Sequence, residues 1–254
     1  RNKMDKLMIP ATITIFIFGI LIGSFLNVCI YRIPRGEDIV FTSSHCMSCG
    51  YQLKWYDLMP IISFIGLRGR CRKCHTKLSI QYPIIELING VVYVAIYIAM
   101  GNKMDTVLYC LLASALIVLS LIDWKTYEIP FGINIFIGIL GIIKVIIDHE
   151  HWYLYIGGFF SVSLFLLLLL VLTRGQAMGG GDVKLMAATG LLLGWKLNLL
   201  AFAFGCILGS VIHLFRMKIQ GESHRLALGP YLALGVMISV LWGNQFIQWY
   251  IDLL

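Results

Sequence analysis

The chain has 254 residues, of which 59% are apolar and only 13% are charged, and its mean hydropathy is +0.85. Soluble domains carry about a quarter charged residues, so this composition excludes both a disordered chain and an ordinary soluble domain. The net charge of +7 does not indicate a nucleic-acid partner, because the basic residues lie in loops between apolar runs. The composition therefore predicts an all-α polytopic membrane protein with lipid as its main solvent.

Eight apolar runs follow one another along the chain, at residues 9–31, 84–100, 106–122, 129–147, 152–172, 183–195, 197–215 and 226–251. Seven of them reach the ~17 residues needed to cross the hydrocarbon core. The run at 183–195 is shorter and contains Lys184, so whether it spans fully stays open. We predict a first transmembrane helix at 1–33, a four-cysteine domain at 34–82 and a seven-helix membrane core at 83–254.

The distribution of Lys and Arg predicts the orientation. If the 34–82 loop is cytoplasmic and all eight runs span, eight basic residues at 32–82, one at 123–130, two at 173–184 and three at 216–228 lie on the cytoplasmic side. Five lie on the other side. Because cytoplasmic loops of membrane proteins are enriched in basic residues, this is the orientation we expect.

Two C-x-x-C pairs, Cys46 with Cys49 and Cys71 with Cys74, lie in the polar loop. Two such pairs are typical of tetrahedral zinc sites, and thiolates in a reducing cytoplasmic loop favour a metal ion. The alternative is a redox pair or two disulfides. The spacing favours a structural zinc ion that folds the loop and does no chemistry.

Acidic residues in or beside apolar runs are costly in a membrane and therefore indicate function. Four residues qualify: Glu86, Asp123, Glu128 and Asp182. Asp123 ends an apolar run, where the helix dipole disfavours a negative charge, although an interfacial, solvated aspartate is the alternative. Asp182 follows three glycines and precedes an apolar run, so local rules also predict that it caps a helix.

The predicted topology brings Asp123 and Asp182 to the cytoplasmic ends of their helices. Two carboxyl groups that share a site cannot comfortably both be ionised. One can then activate water while the other protonates a scissile carbonyl, which is the chemistry of aspartic proteases. From the helix dipoles we predict that Asp182 is the ionised partner and Asp123 the protonated one.

Several motifs occur in a fixed order over nearly the whole chain: Gly23-Ser24-Phe25-Leu26-Asn27-Val28 with Tyr31-Arg32, the two cysteine pairs, Trp55-Tyr56-Asp57, Leu67-Arg68-Gly69-Arg70-Cys71, Tyr82-Pro83 with Glu86, Asp123 with Ile129-Pro130, Gly179-Gly180-Gly181-Asp182-Val183-Lys184, and Leu228-Gly229-Pro230-Tyr231. Together they resemble the bacterial type IV prepilin peptidases, which are GxGD-type intramembrane aspartyl peptidases.

The resemblance implies that Asp123 and Asp182 are the catalytic pair, supported by Gly179, Gly180, Gly181 and Lys184. It implies prepilin and pseudopilin substrates, cut after a glycine that ends a short basic leader on the cytoplasmic face of the bacterial inner membrane. It also implies methylation of the new N-terminal residue with S-adenosylmethionine. No methyl-donor motif is recognisable in the sequence, and Glu86 and Asp57 are the residues that we name for this site.

Three positions depart from the family pattern. Met47 replaces a frequent proline, and His75 a usual glycine, so the geometry around the cysteines is expected to differ while metal binding survives. Glu128 adds a carboxyl group close to Asp123 in sequence.

Two other function classes remain open at this point. Intramembrane carboxyl groups and glycine-broken helices also build ion- or proton-coupled membrane transporters. A transporter predicts inverted repeats, and we find no duplicated aspartate or glycine-rich element. A non-catalytic, zinc-bearing membrane scaffold is the third class.

Overall fold

The computed structural model describes residues 2–101, 103–175, 178–220 and 227–253. Within these ranges the fold contains no β-strand, only two isolated antiparallel bridges, His45 with Gln52 and Arg70 with Lys77. The α-helices are α1 (Asn2–Arg32), α2 (Ile62–Gly66), α3 (Gln81–Met100), α4 (Met104–Thr126), α5 (Phe131–Ile147), α6 (Trp152–Ser161), α7 (Ser163–Leu172), α8 (Gly180–Leu193), α9 (Trp195–Gln220) and α10 (Gly229–Asp252).

Six segments of the described chain are long and apolar enough to cross a membrane: Ile9–Arg35, Gln81–Met100, Met104–Thr126, His149–Leu172, Trp195–Lys218 and Gly229–Asp252. Helix α5 has 17 residues and α8 has 14. Each predicted apolar run contains a helix, and the predicted start of the last run, Leu226, lies outside the described residues. The predicted class, a helical multi-pass membrane protein with a small four-cysteine region between its first two spans, is confirmed.

The chain divides into two compact units, Arg1–Thr106 and Val107–Leu254. In the first unit α1 packs on α3, and two buried asparagines join these helices. The Asn89 side-chain amide donates to the Gly19 carbonyl at 2.7 Å, and that of Asn27 to the Tyr82 carbonyl at 3.2 Å. Such interhelical hydrogen bonds stabilise helix pairs where lipid offers no hydrophobic driving force.

Arg32 ends α1 and anchors the polar loop that follows it. Its buried guanidinium donates to the carbonyl oxygens of Asp38 at 2.9 Å, Thr42 at 2.8 Å and Ser43 at 3.3 Å. An arginine has five donors in a rigid fork, so one side chain can fix several loop carbonyls at once. The loop is thereby tied to the end of the first helix.

The short run at 183–195 forms α8, a helix enclosed by the second unit. Helices α5, α6, α7 and α9 pack around it, and nine of its 14 residues are buried. At ~1.5 Å per residue it is only about 21 Å long, less than the ~30 Å hydrocarbon core. Because protein surrounds it, α8 does not need the length of a lipid-facing span.

Two predicted runs have different helix boundaries in the structure. The run at 129–147 becomes helical at Phe131, because Pro130 is extended with φ −60° and ψ 129° and disfavours a helical conformation of Ile129 before it. The run at 152–172 breaks at Val162 into α6 and α7. The hydroxyls of Ser161 and Ser163 there donate to the carbonyls of Gly158 and Phe159, and such bonds bend helices.

A buried polar contact holds α8 against α6 and α9. The Asn198 side-chain amide donates to the carbonyls of Met186 at 3.0 Å and Gly158 at 3.3 Å, while the Thr189 hydroxyl donates to its oxygen at 3.0 Å. A Cβ on Gly190 would lie 2.1 Å from the Gly158 carbonyl oxygen, so only glycine permits this approach of α6. These contacts set the position of α8 and of the residues in its first turn.

Candidate functional site

Asp123 lies in the last turn of α4 and only 4% of its surface is exposed. Helix α4 ends three residues later, at Thr126. The next residue, Tyr127, has a left-handed φ of 56° and donates its N–H to the Asp123 backbone carbonyl at 2.8 Å. The prediction that Asp123 stands at the C-terminal end of its helix is confirmed. The interfacial, solvated alternative does not fit a carboxyl group that is buried inside the second unit.

Asp182 is the third residue of α8 and is 8% exposed. The N-cap position before the helix is occupied by Gly179, in an extended conformation, and its N–H acts on the Asp182 carboxyl group. The prediction that Asp182 is itself the N-cap residue is therefore wrong, because Gly179 occupies that position. Helix α8 begins at Gly180, two residues before Asp182. The Asp182 carboxyl group therefore lies within the first turn of the helix.

The two carboxyl groups share one environment in the second unit. Both are buried, and the negative charge of Asp123 acts on Asp182. Two buried carboxyl groups whose charges repel each other are not readily ionised together. The arrangement can therefore present one carboxylate and one carboxylic acid to a substrate.

A backbone amide from a third helix completes this site. The N–H of Gly229, the first residue of α10, donates to Asp123 Oδ2 at 2.9 Å. Sequence reasoning did not assign a role to Gly229, although the Leu228-Gly229-Pro230-Tyr231 motif was part of the resemblance. A glycine followed by proline, the usual start of a helix, was the available signal.

The glycines before Asp182 provide close packing. A Cβ on Gly181 would lie 2.9 Å from Ile129 Cβ, and the Asn134 amide donates to the Gly181 carbonyl at 3.4 Å. None of Gly179, Gly180 and Gly181 has a positive φ in the described backbone, so a left-handed backbone conformation is not what requires glycine here. The requirement at Gly181 is room for the segment before α5.

Lys184 and Glu128 lie at the periphery of the carboxyl pair. The Lys184 ammonium stands over the Phe131 ring, 4.7 Å from its centroid, and its side chain is exposed. Glu128 is also exposed, and its backbone N–H donates to the Thr126 hydroxyl at 3.3 Å. Glu128 is therefore not a third member of the buried pair.

The four paired cysteines of the first unit form one cluster. Their Sγ atoms all lie within 4.8 Å of one another, and Cys46 Sγ is 3.7 Å from Cys74 Sγ. Tetrahedral zinc with Zn–S bonds of about 2.3 Å separates its sulfur ligands by roughly 3.8 Å, so the geometry fits this metal. All four are free thiols, not disulfides, in the described chain.

The cluster is built twice from the same local turn. The Cys46 N–H donates to the Tyr51 carbonyl and the Cys71 N–H to the Thr76 carbonyl, both at 2.9 Å. The residue after each pair has a left-handed φ, 68° at Gly50 and 57° at His75. His75 thus adopts the left-handed conformation that Gly50 adopts in the first turn, so the two turns of this chain share one backbone geometry. Neither His75 nor His45 belongs to the cluster within the described residues.

Asp57 is a structural residue of the loop. It accepts from Arg72 Nε at 2.7 Å, from the Lys54 N–H at 3.2 Å and from the Tyr51 hydroxyl at 3.3 Å, and its side chain is 2% exposed. Burial raises the pKa of Asp57, but the hydrogen bonds from Arg72 and Lys54 outweigh it and hold that pKa below its ordinary value. Arg72 follows Cys71, so Asp57 braces the second cysteine pair.

Glu86 lines a cavity of about 300 Å³ inside the first unit, together with Asp57 and Tyr82. Glu86 Oε2 accepts the N–H of Ile61 at 2.8 Å, which ties α3 to the polar loop. The structure thus brings the two residues named for the methyl-donor site to one cavity, although the Asp57 carboxylate already forms an ion pair with Arg72.

Family models match both parts of the chain. Residues 17–100 match the bacterial peptidase A24 N-terminal domain, and residues 110–214 match the type IV leader peptidase family. A prepilin leader peptidase/N-methyltransferase of Bacillus subtilis (strain 168) is 31% identical over 242 residues, covering 94% of this chain and 97% of the relative.

The chain belongs to the type IV leader peptidase family. Prepilin leader peptidase/N-methyltransferases of Pseudomonas putida and Aeromonas hydrophila are 27% and 29% identical, and each match covers at least 90% of both chains. No solved structure matches the chain. The predicted family and the predicted peptidase class are confirmed by these matches.

Proposed function

We propose that this protein cleaves the basic leader of type IV prepilins and pseudopilins with Asp123 and Asp182, and methylates the new N-terminus. The observation that carries the peptidase proposal is the burial of these two carboxyl groups in one site, where the charge of one acts on the other. Membership in the leader peptidase family and the names of the relatives support the substrate class.

Peptide hydrolysis needs both protonation states of the pair. The carboxylate removes a proton from a water molecule, whose oxygen bonds to the scissile carbonyl carbon. The carboxylic acid gives its proton to the carbonyl oxygen, which forms a neutral tetrahedral intermediate. Collapse of this intermediate breaks the C–N bond: the carboxyl group that took the water proton gives it to the leaving amine, and the other carboxyl group takes back a hydroxyl proton as the carbonyl re-forms.

The site is placed on the cytoplasmic side of the bacterial inner membrane in this proposal. Fourteen of the 20 Lys and Arg residues lie in the loops at 32–82, 123–130, 173–184 and 216–228, which share a side if all eight apolar runs cross. The enclosed helix α8 counts as one crossing in this topology. Membrane lipid surrounds the outer helices, and no nucleic acid takes part.

Zinc is the metal proposed for the four-cysteine cluster. Its donor set has only thiol ligands at separations that suit tetrahedral coordination, and hydrogen bonding to Thr76 lowers the pKa of Cys74 to about 6, which favours the thiolate. With four protein ligands the ion has no open position for substrate. Cys46, Cys49, Cys71 and Cys74 therefore hold a structural ion.

The cavity of the first unit is the candidate methyl-donor site. Its volume of about 300 Å³ is at the lower end of the range for small-molecule sites, and Glu86 provides a buried acidic wall for a positively charged donor. S-adenosylmethionine would supply an electrophilic methyl group there. Glu86 would face it, and Asp57 would brace the wall through Arg72.

The test uses the purified full chain in lipid nanodiscs and a synthetic peptide with a basic leader, a glycine and the first residues of a pilin. Mass spectrometry with and without S-adenosylmethionine reports cleavage and methylation together. We expect cleavage after the glycine, and a loss of at least about 10³-fold in Asp123→Asn and in Asp182→Asn. Glu128→Gln removes an exposed carboxyl near Asp123 in sequence and is the matched control.

The outcomes separate the function classes. Binding of the peptide without cleavage, unaffected by either aspartate substitution, would identify a scaffold. Ion flux across the membrane of liposomes that contain the purified chain, without peptide hydrolysis, would identify a transporter. A Glu86→Gln variant that cleaves normally but no longer methylates supports the cavity, whereas unchanged methylation excludes Glu86 from the donor site.

A further inference from the structure

The first turn of α10 has one backbone donor that the helix itself does not use. Pro230 has no N–H, and the amides of Tyr231 and Leu232 both donate to the Leu228 carbonyl at 3.1 Å. The remaining amide, that of Gly229, donates to Asp123 Oδ2 at 2.9 Å. The start of α10 is therefore directed at one carboxyl oxygen of the buried pair.

This contact changes the electrostatics that the sequence predicted for Asp123. A helix N-terminus carries a partial positive charge, and an amide that donates to a carboxylate favours the ionised form. The C-terminal dipole of α4 acts in the opposite sense on Asp123, but it contributes no hydrogen bond to the carboxyl group. Asp182 also lies at a helix N-terminus, where the Gly179 N–H favours its carboxylate, but burial and the charge of Asp123 outweigh that contact.

We infer that the N-terminus of α10 holds Asp123 as the ionised, water-activating member of the pair, with Gly229 as a positioning residue and Asp182 as the proton donor. The inference rests on the proposed peptidase function and reverses the roles predicted from the dipoles of α4 and α8 alone. Asp123 takes a proton from water, the water oxygen bonds to the carbonyl carbon, and Asp182 gives its proton to the carbonyl oxygen.

Glycine is required at position 229 for this contact. A Cβ there would lie 2.7 Å from Asp123 Oδ2 and 3.1 Å from Leu119 Cδ2. A methyl group would push the carboxyl group away from the amide before it disturbed anything else in the pair. The variant Gly229→Ala therefore tests the contact while both aspartates remain present.

Steady-state cleavage is measured for wild type, Gly229→Ala, Asp123→Asn and Pro230→Ala in nanodiscs. We expect Gly229→Ala to lower kcat about 10- to 100-fold with KM within about threefold, because a charge-assisted hydrogen bond is lost and peptide binding is not. Pro230→Ala keeps the Gly229 N–H and should cleave like wild type. If Gly229→Ala does not fold, Leu119→Val is added to give the methyl group room on its apolar side.

Infrared difference spectra of wild type against Gly229→Ala at neutral pH, without substrate, test the protonation state. We expect the two proteins to differ in the carboxylate bands and not in the protonated carboxyl band. Changes in the protonated band would overturn the assignment of Asp123 as the ionised member, and an unchanged kcat would overturn the positioning role of Gly229. If wild type fails to cleave, or Asp123→Asn cleaves normally, the proposed peptidase function itself fails instead.

Discussion

The cysteine cluster of the first unit and the carboxyl pair of the second are assembled in different ways. Each half of the cluster is a local turn of a few residues, and the same turn occurs twice, so four ligands meet through nearby backbone hydrogen bonds. Asp123 and Asp182 come from different helices, and a third helix contributes the Gly229 amide. One site depends on the local geometry of its cysteine turns and on the proposed metal ion, whereas the other depends on helix packing.

The largest effect is expected from a substitution that removes the proposed zinc ion from the cysteine cluster. Cys71→Ser takes away a buried ligand, and we expect zinc content to fall from about one ion per chain to near zero, because structural zinc binding supplies about 10 kcal/mol of folding free energy in small domains. Cys110→Ser, a buried single cysteine of α4, is the control and should keep its zinc. Elemental analysis of the purified chains measures this, and wild-type zinc content in Cys71→Ser would contradict the cluster.

The next largest effect is expected from a substitution that disrupts the packing of α6 on α8, the helix that contains Asp182. In Gly190→Ala the new Cβ would lie 2.1 Å from the Gly158 carbonyl oxygen, so α6 and α8 must separate. We expect a loss of about 3 kcal/mol in unfolding free energy and of most peptide cleavage, with zinc content unchanged. Denaturant unfolding in detergent is the measurement.

The control for Gly190→Ala is Gly138→Ala in α5. No heavy atom lies within 4 Å of the Cβ position there, so this substitution should be neutral or slightly stabilising through helix propensity. Equal stability of the two variants would show that the close approach of α6 does not position α8. Loss of zinc in Gly190→Ala would show that the two sites are not independent.

A smaller effect is expected from the polar contact beside Gly190. Asn198→Ala removes one hydrogen bond each from the Thr189 hydroxyl and from the carbonyls of Met186 and Gly158, and we expect a cost of about 1–2 kcal/mol in unfolding free energy. Asn244→Ala on the exposed face of α10 is the matched control and should cost less than about 0.5 kcal/mol. A control variant that loses as much as Asn198→Ala would refute the role of this network.

The same contrast explains what could be predicted from the sequence. The cysteine spacing was enough for the metal site, because its ligands are local, and the resemblance supplied both aspartates. The prediction that Asp123 is protonated and Asp182 ionised used only the dipoles of α4 and α8 and did not include Gly229. That residue is 106 positions from Asp123 in sequence and contacts it only because the helices pack together. The N-cap position predicted for Asp182 was wrong for a related reason: local rules assume that a helix does not begin with glycine, whereas Gly180 and Gly181 are the first two residues of α8.

The smallest expected effects compare the two cysteine turns with each other. Gly50 and His75 occupy equivalent positions with φ of 68° and 57°, and nothing lies within 4 Å of the Gly50 Cβ position, so a substitution there changes mainly the backbone energy. A side chain in the left-handed region costs about 1 kcal/mol, while glycine loses more entropy on folding. Gly50→Ala should therefore weaken zinc binding about two- to fivefold, and His75→Gly should strengthen it by no more than about twofold. Competition with a zinc chelator measures both, and shifts of the same sign in the two variants would show that the turns are not equivalent.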